Sequence, residues 1–410
     1  MPQSFFIAFV KGTAMKMHWI MLMTVAMMLA GGCANQAKQP TPHQAGVASW
    51  NDARSSVMIG LAKDQYDAGQ LDKARQTIDG AIKLSPESAN ARILSARIAI
   101  EQSQLELAEK ELRLARQSDP RAAEADYLSG VVYQRWQKPD LAFDFYSHAC
   151  DKAPSELAYL MAKAEMLVSM ERSTEALKLL QDRVVFFEHS AVIRDAVGEL
   201  LIGQKRYPEA VDMLREASIL TPDDLTIKEH LAMAYFYAHQ YGDALESLNR
   251  LVAIDKFAHR ADLRAAVGEC DCELGEYRDA REAFEVATQL DPASAGWWIG
   301  LAKAALQCSD YQRVETSLHR AMALDAGNSQ ANLLMGCLRL RQDRLPEALA
   351  SFNKVSSRDN ADSLSLCMSG YVLQKLGRTR EAMDYYTKAL QRDPHDELAT
   401  QLMAGIDPGQ

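Results

Sequence analysis

Residue types able to do chemistry are present in this 410-residue chain, yet their spacing is not that of a reaction centre. Nine histidines and seven cysteines are scattered along it. The sequence holds no Gly-rich phosphate loop, no His-Glu-x-x-His zinc pair and no Gly-x-Ser-x-Gly nucleophile elbow. Cys270 and Cys272 are the nearest pair. Two residues apart on a helix, they point to nearly opposite sides, which suits neither a disulfide nor a shared metal ion. There is no CxxC pair and no histidine at ligand spacing from them. Cys150, Cys270, Cys272, Cys308, Cys337 and Cys367 therefore read in one of two ways. They are small helix-packing residues or, in an oxidising compartment, partners of a bridge between neighbouring elements such as Cys337 to Cys367. No catalytic residue, no metal and no cofactor is expected, and the chain reads as a non-enzyme.

Cys33 stands apart from the other six. Met15, Lys16, Met17 and His18 precede an apolar run from Trp19 to Ala30, then Gly31, Gly32 and Cys33, the pattern of a secretory signal. The run is too short to span a bilayer as a mature helix. Residues 1–32 are read as signal peptide, with Met15 as the true start. Leu29-Ala30-Gly31-Gly32-Cys33 resembles a bacterial lipobox, in which the cysteine is diacylated and becomes the new N-terminus. The lipobox usually places leucine three residues before the cysteine, whereas Ala30 stands there and Leu29 one further back. Residues 33–54, the lipidated cysteine and a polar stretch with Gln36, Pro40, Pro42 and Gly46, suit a flexible tether. By the same analogy, Ala34 in place of aspartate favours the outer membrane in a diderm host. Cleavage before Cys33 removes Lys11 and Lys16 and no acid, taking 45 basic residues to 43 against 55 acidic ones, a net of −12. Phosphate contacts need a basic field, so nucleic acid is excluded as a partner. Electrostatic attachment to anionic lipid is excluded too, leaving the acyl chains as the anchor.

The elements that carry these side chains follow one number, thirty-four. From Ser55, a column of Ala62, Ala96, Gly130, Ala164, Gly198, Ala232, Gly268, Ala302, Gly336 and Gly370 recurs at that interval, with one two-residue slip before Ala261. Twelve residues on runs a second column, Ala74, Ala108, Ala142, Ala176, Ala210, Ala244, Ala280, Val314, Ala348 and Ala382. Four further on, the residue is always large and apolar: Ile78, Leu112, Tyr146, Leu180, Leu214, Leu248, Phe284, Leu318, Phe352 and Tyr386. Pro86, Pro120, Pro154, Pro222, Pro292 and Pro394 end six of the ten units, where a missing N–H stops the helix. This pattern resembles the tetratricopeptide repeat family over residues 55–396, as ten repeats. The resemblance implies an all-α, right-handed superhelical solenoid of helix-turn-helix units, with residues 397–410 as a capping helix and tail through Leu398, Leu402 and Ile406. A lone hairpin cannot bury enough apolar surface to offset its ordering entropy, so each must stack on the next. Departures fall at the end of repeat four (Arg183 to Glu188), at the inserted His259 and Arg260 after repeat six, and at Ala326 and Asn360, which replace the proline. These read as family drift or as local changes of pitch.

The family lines its concave groove with first-helix residues, and in this chain the ninth positions run Lys63, Arg97, Val131, Glu165, Glu199, Met233, Glu269, Lys303, Cys337 and Tyr371. Asp195, Glu229, Asp262 and Glu273 deepen the acidic middle, while Arg135, Arg341 and Lys375 add positive charge towards the ends. Beside the acids runs an apolar stripe, Val168, Ile202 and Phe236, with Tyr237 next to it. A peptide or protein segment with apolar anchors and Lys or Arg is the partner this implies, steered by acids and held by apolar contact. The bland reading is that the charges are solvated helix faces and that the twelfth positions pack against the next repeat. No ninth position is Asn, so the clamp used for acidic chaperone tails is not expected.

The expectation is a lipid-anchored cell-envelope scaffold that recruits or positions another protein. Similar tetratricopeptide lipoproteins assist pilus, secretion or outer-membrane assembly, or peptidoglycan remodelling. Two rivals remain: an accessory protein that holds envelope polysaccharide beside a separate enzyme, and a cytoplasmic adaptor whose N-terminal run is no signal. Tyr66, Tyr127, Tyr237 and Tyr371 are too dispersed to favour sugar. Cys33→Ser is expected to move the protein from the membrane to the soluble fraction on cell fractionation, and retention of the variant in membranes would count against a lipid anchor.

Overall fold

The computed structural model describes residues 41–357 and 362–405. Cys33, the signal and residues 33–40 of the tether lie outside these residues, as do Asn360, Ile406, Pro408 and Gly409. Among the described residues there are twenty-one helices and no strands, and no helix is long and apolar enough to cross a membrane. The helices pair into hairpins in chain order, giving the all-α tetratricopeptide architecture expected from the 34-residue period. Two compact units divide the chain, one up to Tyr159 and the other from Leu160 onward.

The first unit holds α1 (Pro42–Asp67), α2 (Leu71–Leu84), α3 (Ala89–Glu101), α4 (Leu105–Ser118), α5 (Ala123–Arg135), α6 (Pro139–Lys152) and the start of α7 (Leu157–Ser169). α1 corrects one expectation. Residues 42–54, assigned to a flexible tether, are its first turns instead. Proline is tolerated at a helix start, where the N–H it lacks would have had no helical partner anyway. Gly46 and Gly60 lie inside the helix, each at a cost of about 1 kcal/mol relative to alanine. Ser55 then locks α1 to the end of α2 by donating its buried hydroxyl to the Ala81 carbonyl at 3.0 Å. Buried Asp126 on α5 accepts from Lys152 on α6 and lies 3.9 Å from Arg116 on α4, so three helices share one compensated charge.

The second unit continues with the rest of α7, then α8 (Ser173–Val184), α9 (Ala191–Gly203), α10 (Tyr207–Leu220), α11 (Leu225–Tyr237), α12 (Tyr241–Val252), α13 (Ala261–Leu274), α14 (Tyr277–Leu290), α15 (Ala295–Gln307), α16 (Tyr311–Leu324), α17 (Ser329–Arg341), α18 (Leu345–Ser356), α19 (Ser363–Lys375), α20 (Thr379–Arg392) and α21 (Glu397–Ala404). First helices stack on first helices: α9 on α11, α13 on α15, α15 on α17. Beside the two-residue insertion, Phe257 is buried in the loop among Leu251, Val252 and Leu263. The terminal α21 packs on α19 and α20. Its anchor is Ala399, fully buried, whereas Leu398 remains 38% exposed.

Within each hairpin the two sequence columns meet face to face. The small residue of the first helix lies against the large residue sixteen positions later on the second, and their identities are matched. Ala62, Ala96, Ala164, Ala232 and Ala302 belong with Ile78, Leu112, Leu180, Leu248 and Leu318, whereas every aromatic, Tyr146, Phe284, Phe352 and Tyr386, belongs with a glycine. A Cβ placed on Gly268 sits 2.8 Å from Cδ2 and Cε2 of Phe284, closer than non-bonded atoms tolerate. Gly300 of the next hairpin presses on the same ring from its other side. The turns between paired helices repeat as well. Gly69, Ser103, Gln137, Glu171, Lys205, His239, Gly275, Ser309, Asp343 and Gly377 all have positive φ. The following N–H in each case bonds back to a carbonyl five residues earlier, as Gln70 does to Gln65 at 2.8 Å and Glu276 to Asp271 at 2.8 Å.

Gly336→Ala, which drives a Cβ into the Phe352 ring, is expected to cost about 1–3 kcal/mol in chemical denaturation. Adding Phe352→Leu, the partner that alanine has elsewhere, should recover most of that loss. Gly198, which faces Leu214, should lose less on alanine substitution than Gly336, because alanine already faces leucine in four sister hairpins and favours the helix by about 1 kcal/mol.

Candidate functional site

All eleven residues assigned to the groove lie on first helices, on α7, α9, α11 and α13. Positions three or four apart share a helix face, which is why Asp195, Glu199 and Ile202 on α9 and Glu229, Met233 and Phe236 on α11 run in parallel rows. What those rows can do depends on who neutralises them.

On α9 the acids are met by a histidine that the sequence did not single out. His230 of α11 reaches Asp195 Oδ1 with Nδ1 at 2.8 Å and Glu199 Oε1 with Nε2 at 3.2 Å. The hydrogen bond to Asp195 is the largest influence on the imidazole, followed by burial, which opposes it, and by the charges of Asp195, Glu199 and Glu229; the net effect raises the pKa above that of free histidine. Protonated, His230 donates to both carboxylates and cancels one of their two charges. The ligand atoms of these three residues lie within 4.8 Å of one another. Both ring nitrogens are engaged already, so a metal ion would have to displace one of the contacts.

Glu229 and Asp262 are likewise compensated. Arg260, half of the inserted pair, donates Nε to Asp262 Oδ1 at 2.8 Å and Nη2 to Oδ2 at 2.6 Å, and Nη2 also reaches Glu229 Oε1 at 2.9 Å. This bidentate fork holds the Asp262 carboxyl below its usual pKa. The insertion therefore supplies a cation to the acidic rows.

Glu269 and Glu273, four apart on α13, differ from these. Lys303 on α15 approaches Glu273 at only 3.5 Å, with both side chains about half exposed. Glu269 makes no ion pair or hydrogen bond among the described residues. Its side chain opens to solvent, yet the surrounding walls desolvate the carboxylate and raise its pKa, Glu273 adding to the effect and Lys303 opposing it. Phe236, Tyr241 and Trp297 stand around the two acids, and a cleft of about 320 Å³ lies between them.

The apolar stripe divides in two. Val168 and Tyr237 face solvent, at 42% and 37% exposure. Met233 and Phe236 rest partly on the core built around Ala232, Leu248 and Leu263, and Ile202 is half-buried. Glu165 is exposed on α7. Tyr237 stacks on Tyr207 at 5.4 Å, and in the first unit Tyr127 stacks on Tyr159 at 4.7 Å, so those rings already have partners. Of the cations placed towards the ends, Arg135 donates to the Ile100 carbonyl at 2.7 Å, Arg97 pairs with Glu124 at 2.6 Å, and Lys375 lies over the Tyr371 ring at 5.1 Å. Cys270, Cys272, Cys308, Cys337 and Cys367 are free thiols, and the bridge from Cys337 to Cys367 is not formed. Cys270 and Cys272 do point apart, into two different core clusters. Burial raises their thiol pKa values to about 12 and about 11, which keeps them protonated and unreactive.

The tetratricopeptide repeat family matches residues 59–123, 273–329 and 364–396. No curated protein matches the chain. Among solved structures, a tetratricopeptide repeat protein from Parabacteroides merdae is similar at 16% identity, over 60% of this chain and 96% of its own, with a TM-score of 0.49. YrrB, described as a TPR protein with an unusual peptide-binding site, is similar at 18% identity over 48% of this chain and 97% of its own, with a TM-score of 0.42. MamA is similar at 20% identity over 41% and 91%, with a TM-score of 0.37.

Because the folded pKa of His230 is raised, its contacts contribute stability that is fully present below the unfolded value of about 6.5 and is lost as pH rises through the folded value. The stability difference between wild type and His230→Gln is therefore expected to be larger at about pH 5.5 than at about pH 9 in urea denaturation. A difference that stays flat across that range would show that the imidazole does not act as a cation between the two acids.

Proposed function

This chain is a tetratricopeptide repeat protein, and from that premise we propose that it is a non-enzymatic scaffold, anchored by lipid in a bacterial cell envelope, that captures a basic and apolar segment of another protein on the first helices of repeats four to seven. Repeats of this kind bind proteins or peptides, and this chain's own residues say where. The observation that carries the reading is Glu269: a carboxylate with no ion pair among the described residues, beside aromatic rings, on the same helix as a second acid whose nearest described cation stands 3.5 Å away. Exposed Val168 supplies an apolar anchor on a neighbouring first helix. Compensation of Asp195, Glu199, Glu229 and Asp262 by His230 and Arg260 narrows the attractive field towards α13.

The envelope location rests on the apolar run that ends at Cys33. Assembly of a pilus, secretion or outer-membrane machine is the kind of process such a scaffold serves. Polysaccharide is the weaker alternative, since two of the tyrosines that would offer it a platform are stacked on other rings.

The test is crosslinking in cells followed by mass spectrometry, comparing wild type with a variant carrying Glu165→Lys, Glu199→Lys and Glu269→Lys. Partners of wild type should fall by about tenfold or more with the variant, a loss of roughly 1.4 kcal/mol, while circular dichroism shows the same helix content. Capture should also weaken on raising salt from about 50 to about 300 mM, because exposed charges are screened over shorter distances. Unaltered partners with the triple variant would exclude this face as the capture site.

A further inference from the structure

The cleft between α11, α13 and α15 has the chemistry of a receptor for one side chain. Its volume, about 320 Å³, lies at the small end of ligand pockets. The acids Glu269 and Glu273 sit one helical turn apart on a single face of α13. Phe236 and Trp297 are the aromatic walls, and Trp297 is steadied by donating Nε1 to Asp291 Oδ2 at 3.3 Å. Room is left by Gly296, whose missing side chain has nothing nearer than the Ser294 hydroxyl at 3.6 Å from where its Cβ would be.

The carboxylates are unequally satisfied. Glu269 has no ion pair among the described residues, and the 3.5 Å approach of Lys303 to Glu273 is longer than the 2.7–2.9 Å usual for a charge-assisted hydrogen bond. A site with two acids, one weakly bound cation of its own and flat aromatic walls is complementary to a cation that is itself flat, has several donors and carries an apolar stem. Lysine offers a point charge, whereas the planar guanidinium of arginine can donate to two carboxylates at once and stack on an aromatic face.

We propose that this cleft is a specificity pocket for an arginine side chain of the partner polypeptide, which bridges Glu269 and Glu273, lays its stem against Phe236 and Trp297, and displaces Lys303 from Glu273. The assignment rests on the peptide-capture reading above and refines it. Capture elsewhere on the first-helix face can hold without it. The electrostatics of Glu269 are consistent with this role: desolvation by the cleft walls raises its pKa, and a cation held beside it favours its charged form.

The test uses the full chain and a fluorescently labelled octapeptide of alternating leucine and arginine, with a second octapeptide in which neutral citrulline replaces each arginine. Fluorescence anisotropy should show wild type binding the arginine peptide about tenfold or more tightly than the citrulline peptide. Glu269→Gln should reduce that preference to about threefold or less by removing the charge, and Gly296→Leu should do so by filling the cleft with the charge kept. Leucine in place of glycine favours the helix, so loss of folding is not a concern for this second variant. Glu246→Gln, an equal change of charge on the second helix α12, should leave the preference intact. Equal binding of the two peptides to wild type would overturn the assignment, as would a preference that survives both cleft variants. If the preference survives Glu269→Gln and Gly296→Leu but is lost with Glu165→Lys and Glu199→Lys together, the cleft assignment fails while the capture reading stands. Absence of binding by the arginine peptide overturns the cleft alone, since the in-cell crosslinking judges the wider reading separately.

Discussion

The two helices of each hairpin cross where one of them has almost no side chain, and that close approach fixes the rest. A crossing holds a roughly constant volume, shared between a small residue on the first helix and a large one on the second. Alanine leaves space for leucine or isoleucine, and an aromatic ring demands glycine. Packing at near-crystalline density makes the pairing strict. Because the crossing sets the spacing of the helices, it also sets which first-helix faces run side by side, and hence which charges can meet across hairpins.

Those charges are less free than their number suggests. An acidic row on a helical array invites the idea of a uniform field, but the field is edited locally. The imidazole of His230 sits between two carboxylates, and the guanidinium of Arg260 ties two more. The second of these cations comes from the same loop that buries Phe257 in the core, so one irregular loop serves both packing and electrostatics. What survives the editing is concentrated on α13.

The fold was legible in the sequence because backbone approach restricts residue type so severely that the columns show at a glance. The matching of glycine with aromatic rings was also written there, at a constant offset of sixteen, but has meaning only once the two positions are known to touch. The left-handed turn residue was hidden, since seven of its ten occurrences are not glycine. The first turns of α1 were hidden by their composition, which is as compatible with a tether as with a helix. For the candidate site, the sequence put the acids and Phe236 on first helices, where the fold also carries them. It did not assign the counter-charges of Asp195, Glu199 and Glu229, because His230 and Arg260 reach them from about thirty positions away in a neighbouring hairpin, through distances that only the folded chain defines.

The turn residues carry a last consequence. At Ser103, Gln137, Glu171, Lys205, His239, Ser309 and Asp343 the backbone takes φ of 57–61°, a region that costs a side-chain-bearing residue about 1 kcal/mol and glycine almost nothing. Three sister turns do use glycine. The chain thus tolerates a small, evenly distributed tension at seven bends, and its folded state lies below the robustness that its own backbone geometry would permit.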